Sequence, residues 1–166
     1  MAQMAINAYV LESTNYRIAN LIEDWKASAI EDGVPYQQAL LDAAEEYAIE
    51  CAITKIYGSE CIDYNVDELL QIHGGYGFSE EFVPAGLFRD TRINRIYEGT
   101  NEINRLLLVN MLLRRVMKGQ LDMVGPAWEV QKELASMPKM ESFEGAYPEE
   151  TKALKNFKKI LLMVAG

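Results

Sequence analysis

Cysteine, histidine and basic charge are all scarce in this sequence. Two cysteines in 166 residues, Cys51 and Cys61, are too few to staple a fold. On one helix they would stand about 15 Å apart along the axis, out of disulfide reach, so both read as small core residues. The single histidine, His73, has no second histidine or thiolate at metal-ligand spacing, so no metal site is expected and a packed or turn-capping role is. Against 25 acidic side chains there are 16 basic ones, a formal net charge of -9. That field repels polyanions and argues against nucleic-acid binding. No signal peptide and no apolar run of about 18 residues is present, which fits a reducing, cytoplasmic setting. Period-two alternation is missing too, and with it any sign of strands.

What is present is helical. Hydrophobic residues make up 49% of the chain, enough for one domain with a sizeable core. Met4, Ala8, Leu11, Ile18, Leu21, Ile22 and Trp25 trace an apolar stripe along the opening 30 residues, with Ser13, Thr14 and Asn15 as a weak point. Gly33 and Pro35 stop it. A second helix is expected from Tyr36 to Gly58, thinned on one side by Ala43, Ala44, Ala48 and Ala52 for close packing. A third is expected from the N-cap Ser59, with Glu60 and Asp63 in its first turn, to the glycines 74 and 75. The connection 78–94 carries only a short helical hint, with Asp90 as its cap. Thr100 caps a fourth helix whose stripe Ile103, Leu106, Leu107, Met111 and Leu112 should bury one face up to Val116. GPAW, SMPKM and SFEGAYPEE then break the chain before a last amphipathic helix near Glu149. The expected fold class is all-α, an up-and-down helical bundle. Both ends read as cut inside helices.

Two glycine clusters and an acid invite a functional reading. QIHGGYGF is either a helix stop with a tight turn or a place where bare backbone approaches phosphate, with Gln71 offering a two-way amide. It lacks the strand and spacing of a dinucleotide fingerprint. Arg89, Arg92 and Arg95, three residues apart, serve either the chain's own carboxylates or an anionic ligand. Glu98, in IYEGTNEINR, is either a first-turn glutamate favouring the helix dipole or a base whose basicity is raised by apolar neighbours.

QIHGGYGF, the RDTR of the connection and IYEGTNEINR, in this order and spacing, resemble the C-terminal helical domain of the acyl-CoA dehydrogenases. The likeness extends upstream through ITKIYGSEC to the opening helix and covers residues 1–118. The tail 119–166 is looser and most like the helical extension of the larger, very-long-chain type. The resemblance implies a flavoenzyme that oxidises an acyl-CoA thioester to the 2,3-enoyl-CoA. A base takes the proton next to the thioester carbonyl, and FAD accepts hydride from the next carbon. In many members the base falls on Glu98, with Tyr97 and Gly99 beside the bound thioester. Gln71, Ile72 and Gly75 fall where the family touches the FAD of a neighbouring subunit; Thr100 and Glu102 fall where it touches its own. Glu102 departs from members with glutamine there, since a carboxylate accepts but does not donate. Some branches take the base from an earlier helix, which this chain does not contain.

The resemblance further implies a homo-oligomer, an electron-accepting redox partner, and β-rich and N-terminal helical domains that precede this part. On that reading the chain is a C-terminal fragment, starting inside the second helix of its domain and inactive alone. The alternative is a non-catalytic helical interaction or oligomerisation module.

Overall fold

The structure, a computed structural model, describes residues 1–136 and 145–165. Among these the regular structure is entirely helical: α1 (Ala2–Glu31), α2 (Tyr36–Glu46), α3 (Ala48–His73), the single turn α4 (Gly75–Phe78), α5 (Val83–Thr91), α6 (Asn101–Met117), α7 (Val124–Ala135) and α8 (Pro148–Ala165). A 3₁₀ turn, Arg92–Arg95, follows α5. The chain divides into two compact units, one ending at Leu112 and the other starting at Leu113, with the boundary inside α6. Among the described residues no helix is long and apolar enough to cross a membrane.

In the first unit, α1 is unbroken through Ser13, Thr14 and Asn15. Thr14 donates its hydroxyl back to the Val10 carbonyl at 2.7 Å, so the weak point is absorbed within the helix. The helix ends as expected: Gly33 takes a positive φ of 88°, and the amides of Gly33 and Val34 return to the carbonyls of Ile30 and Ala29. α1 packs against both α2 and α3. Its run is antiparallel to α3, since Asn7 meets Asn65 while Leu11 meets Gly58.

The second and third expected helices are divided elsewhere. The break falls at Tyr47, and α3 runs straight through Gly58 and Ser59. Packing overrides the local breaker here. A Cβ on Gly58 would stand 3.1 Å from Leu11 Cδ1, so the glycine lets α1 approach α3 rather than ending a helix. Ser59 is no N-cap; its hydroxyl is buried and donates to the Ile56 carbonyl at 2.9 Å. Glu60 and Asp63 consequently lie mid-helix. Of the thinning alanines, Ala43 is fully buried, together with Ala39, whereas Ala44 is exposed. Cys61 is buried, but Cys51 is exposed, contrary to the expectation of two core cysteines.

Asp90 is not a cap either, because α5 already starts at Val83, with Pro84 in the first turn where its missing N–H is not needed. The stripe on α6 is likewise not a buried face: Ile103, Leu106 and Leu107 are exposed, and Met111, Leu112 and Val116 are half-buried. In the second unit GPAW does not break the chain. Gly125 and Pro126 sit in the first turn of α7, and the Gly125 amide there is held by the Asp122 carboxylate at 3.0 Å. Met123, Ala127 and Val130 are buried there. α8 starts at Pro148, beside the expected Glu149, and packs on α7 with a Lys159–Glu133 ion pair. The SMPKM and SFEG breaks fall largely outside the described residues.

Candidate functional site

The segment from Ile96 to Asn101 links the 3₁₀ turn to α6 and reverses the chain within a few residues. Ile96 and Tyr97 still donate their amides to the Ile93 carbonyl, at 2.8 and 3.1 Å. Glu98 then takes a φ of 54°, alone among non-glycine residues described, and Gly99 follows at 84°. For an L-residue this left-handed conformation costs about 1–2 kcal/mol, so the surroundings must impose it.

What imposes it is a set of polar side chains on α3 and the first turn of α6. The Gly99 carbonyl accepts from Lys55 Nζ at 2.8 Å and from Asn104 Nδ2 at 3.1 Å. Lys55 Nζ also donates to Asn101 Oδ1 at 2.9 Å. Asn101 is fully buried, and its amide reaches Ser59 Oγ at 2.8 Å and Glu60 Oε1 at 3.3 Å. Glu60 in turn pairs with Arg105 at 2.5 Å. A side chain at Gly99 would be strained, because at its positive φ a Cβ would also lie 3.0 Å from Asn104 Oδ1. Ser59, expected as an N-cap, belongs to this cluster instead, and Lys55, Asn101 and Asn104 were not singled out from the sequence. Their signal was a lone lysine within the apolar AIECAITKIYG and two asparagines just after the cap.

Thr100 caps α6 as expected, its hydroxyl oxygen accepting the Ile103 amide at 3.2 Å. The Glu102 carboxyl is held below the usual glutamate range by its own backbone amide first, then by the Thr100 hydroxyl, with Arg105 and Arg95 adding attraction. Turned onto these donors, it can only accept from a ligand.

Glu98 is exposed, not pressed against an apolar surface; Ile96 and Tyr97 beside it are half open, and the Tyr97 hydroxyl is taken by Asn94 at 2.8 Å. Its carboxylate has no hydrogen bond or ion pair among the described residues. With Lys55, Tyr97 and Asn94 it lines a hollow of about 260 Å³ that reaches Leu11 and Asn15 of α1. A separate hollow of about 690 Å³, lined by Leu70, Phe78, Ala85 and Phe88 among others, lies between α3 and α5, with Glu98 not among its walls.

The glycine block closes α3. His73 is exposed rather than packed, its Nδ1 2.9 Å from the Leu69 carbonyl one turn back within the helix, and Gly74 takes a φ of 57°. Gly77 is buried, and a Cβ there would stand 2.4 Å from the Leu70 carbonyl oxygen, so this is the sterically required glycine of the block. Gln71, Ile72 and Gly75 are exposed, and no atom lies within 4 Å of where a Gly75 Cβ would be. Bare backbone and the Gln71 side chain are thus open to solvent beside the helix stop at Gly74. This block lies some sixteen residues further along α3 than Lys55, roughly 24 Å at helical rise. Glu98, Tyr97, Gly99, Thr100 and Glu102 are therefore one group, and Gln71, Ile72 and Gly75 another. The arginine repeat divides as well: Arg95 pairs with Asp63 at 2.8 Å and Arg89 with Glu80 at 3.4 Å, while Arg92 is exposed. No cluster of three metal-ligating side chains occurs among the described residues.

Comparison with known proteins bears on the chain as a whole. The family profile described as acyl-CoA dehydrogenase, C-terminal domain, matches residues 1–113. A probable acyl-CoA dehydrogenase of Bacillus subtilis is 42% identical over 163 residues, covering 98% of this chain and 27% of that protein. The rat mitochondrial very long-chain specific acyl-CoA dehydrogenase is 39% identical over 109 residues, 65% of this chain and 14% of that one. Among solved structures, an acyl-CoA dehydrogenase from Bacillus anthracis complexed with FAD superimposes with a TM-score of 0.92 at 45% identity, covering 99% of this chain and 28% of that one. The chain thus spans about a quarter of the length of these two bacterial relatives.

Proposed function

Because the chain belongs to the acyl-CoA dehydrogenase family, through its C-terminal helical domain, we propose that it forms the C-terminal part of an FAD-dependent enzyme. That enzyme oxidises an acyl-CoA thioester to the 2,3-enoyl-CoA. FAD, when bound, would supply the acceptor for the hydride that leaves C3, the carbon bonded to the one that loses the proton. Glu98 takes the proton from the carbon next to the thioester carbonyl. Tyr97 and Gly99 flank the substrate at that point. Thr100 and Glu102 face the cofactor at the start of α6, and Gln71, Ile72 and Gly75 present backbone and amide to the cofactor of a second subunit.

The observation that carries this reading is the setting of Glu98. A carboxylate with no partner, held on a left-handed turn by backbone contacts and opening on a hollow, is free to accept a proton. An acid that merely favoured the dipole of α6 would gain nothing from the strained turn, and Glu102 already occupies that place. Domains 1–118 and 119–166 are read as bundle and helical extension, the whole acting in a homo-oligomer that hands electrons to a redox partner.

A second reading, a non-catalytic oligomerisation module, is favoured by the apolar side chains left open on α6 and α8, such as Leu106 and Phe157. Purification of the full-length protein that carries this chain separates the two. A visible flavin spectrum that bleaches on adding an acyl-CoA is expected; a colourless protein that takes up no FAD would favour the module.

A further inference from the structure

The Glu98 carboxylate is aimed by its backbone alone, since no side chain holds it. Its direction therefore depends on whatever fixes the 98–99 turn. Of the two donors to the Gly99 carbonyl, Asn104 belongs to the helix that the loop itself begins and moves with it. Lys55 reaches across from α3, on the other side of the sequence by 44 residues, and so ties that carbonyl to the bundle. Its bond is charge-assisted, the stronger kind. The ammonium is itself fixed from a second direction by Asn101 Oδ1, whose residue is fully buried and anchored on Ser59. Lys55 and Glu98 line one hollow yet form no ion pair, so the lysine does not hold the carboxylate directly.

We propose that Lys55 is a positioning residue for proton abstraction: by fixing the Gly99 carbonyl it sets the left-handed turn that aims Glu98 at the substrate. The proposal rests on the functional reading above and adds to it a residue outside the IYEGT segment. Asn101 and Ser59 complete the device by holding the ammonium in place.

The test uses the full-length, flavin-loaded protein with Lys55→Met, which keeps the length of the side chain and removes the donor, and Lys55→Arg, which keeps charge and donors. In Lys55→Met, amide hydrogen exchange should accelerate at Tyr97, Ile103 and Asn104, whose amides are bonded at the two ends of the turn, and stay unchanged in α1. Flavin content and the acyl-CoA concentration for half-saturation should hold, while flavin reduction slows on the order of 10²-fold, the effect of misplacing a reacting group by about an ångström. Lys55→Arg should recover much of that rate. Unchanged exchange in the loop of Lys55→Met, or flavin reduction at the parent rate, would overturn the proposal, as would an arginine variant as slow as the methionine one. A parent protein that fails to reduce its flavin at all overturns the functional reading instead, and the exchange measurement then judges the tie between Lys55 and the loop by itself.

Discussion

Glu98 shows what a single residue can reveal about function when its backbone disagrees with its type. A positive φ suits glycine, and a glutamate there carries a backbone strain that its neighbours must offset. In the 166-residue chain, Glu98→Gly should therefore be more stable than Glu98→Ala by about 1 kcal/mol, the reverse of the usual order in helices. Urea unfolding of the two variants checks this, and equal stabilities would mean that the turn is not left-handed in solution. The glycine block offers the complementary case. Gly77→Ala pushes a methyl group onto the Leu70 carbonyl and should lower stability by about 1–3 kcal/mol, whereas Gly75→Ala meets open space and should change it by less than about 0.5 kcal/mol. If Gly75→Ala proves the more damaging, the block has a different internal geometry. The resemblance pointed to Gly75, where a ligand can approach; only the packing exposes the separate need for glycine at 77.

Among the elements, those whose signals are local were legible. α1 and its Gly33 stop, the start of α2 at Tyr36 and the Thr100 cap of α6 all follow from side chains acting on their own backbone. Where a signal depends on a distant partner, the sequence misled. Gly58 looks like a breaker until Leu11 is placed against it, and the apolar residues of α6 look like a core stripe until nothing buries Ile103 and Leu106. The polar tie from Lys55 to Gly99 spans two helices and has no periodicity to betray it. The beginning of α6 can be tested by itself. Thr100→Ala removes the hydroxyl that accepts the Ile103 amide and should cost about 1 kcal/mol. The Glu102 carboxyl is held low in the folded state, so its contribution is present above the usual glutamate pKa and is lost as the pH falls through the depressed value. A carbon-detected NMR titration should place its midpoint below the usual glutamate range, and a midpoint within that range would show that its own amide and Thr100 do not hold it.

On the scale of the whole molecule, the two groups of site residues stand at different levels of α3, as the proposed contacts with two different cofactor molecules, one of them held by a second subunit, would require. The chain spans about a quarter of the length of its bacterial relatives, so on the proposed function FAD titrated into the isolated chain should keep its fluorescence, and stoichiometric quenching would show that most of the site lies here. The open apolar side chains of α6 and α8 should make the isolated chain sediment as species heavier than its 18.8 kDa monomer; a clean monomer at high concentration would show that this surface is not adhesive. The central claim concerns Glu98 as the base, and rapid mixing of the full-length Glu98→Gln protein with an acyl-CoA tests it most directly. With its flavin content intact, the variant should bleach the oxidised flavin band on the order of 10²-fold or more slowly than the parent. Bleaching at nearly the parent rate in a fully flavinated variant would contradict the claim and place the base on another helix.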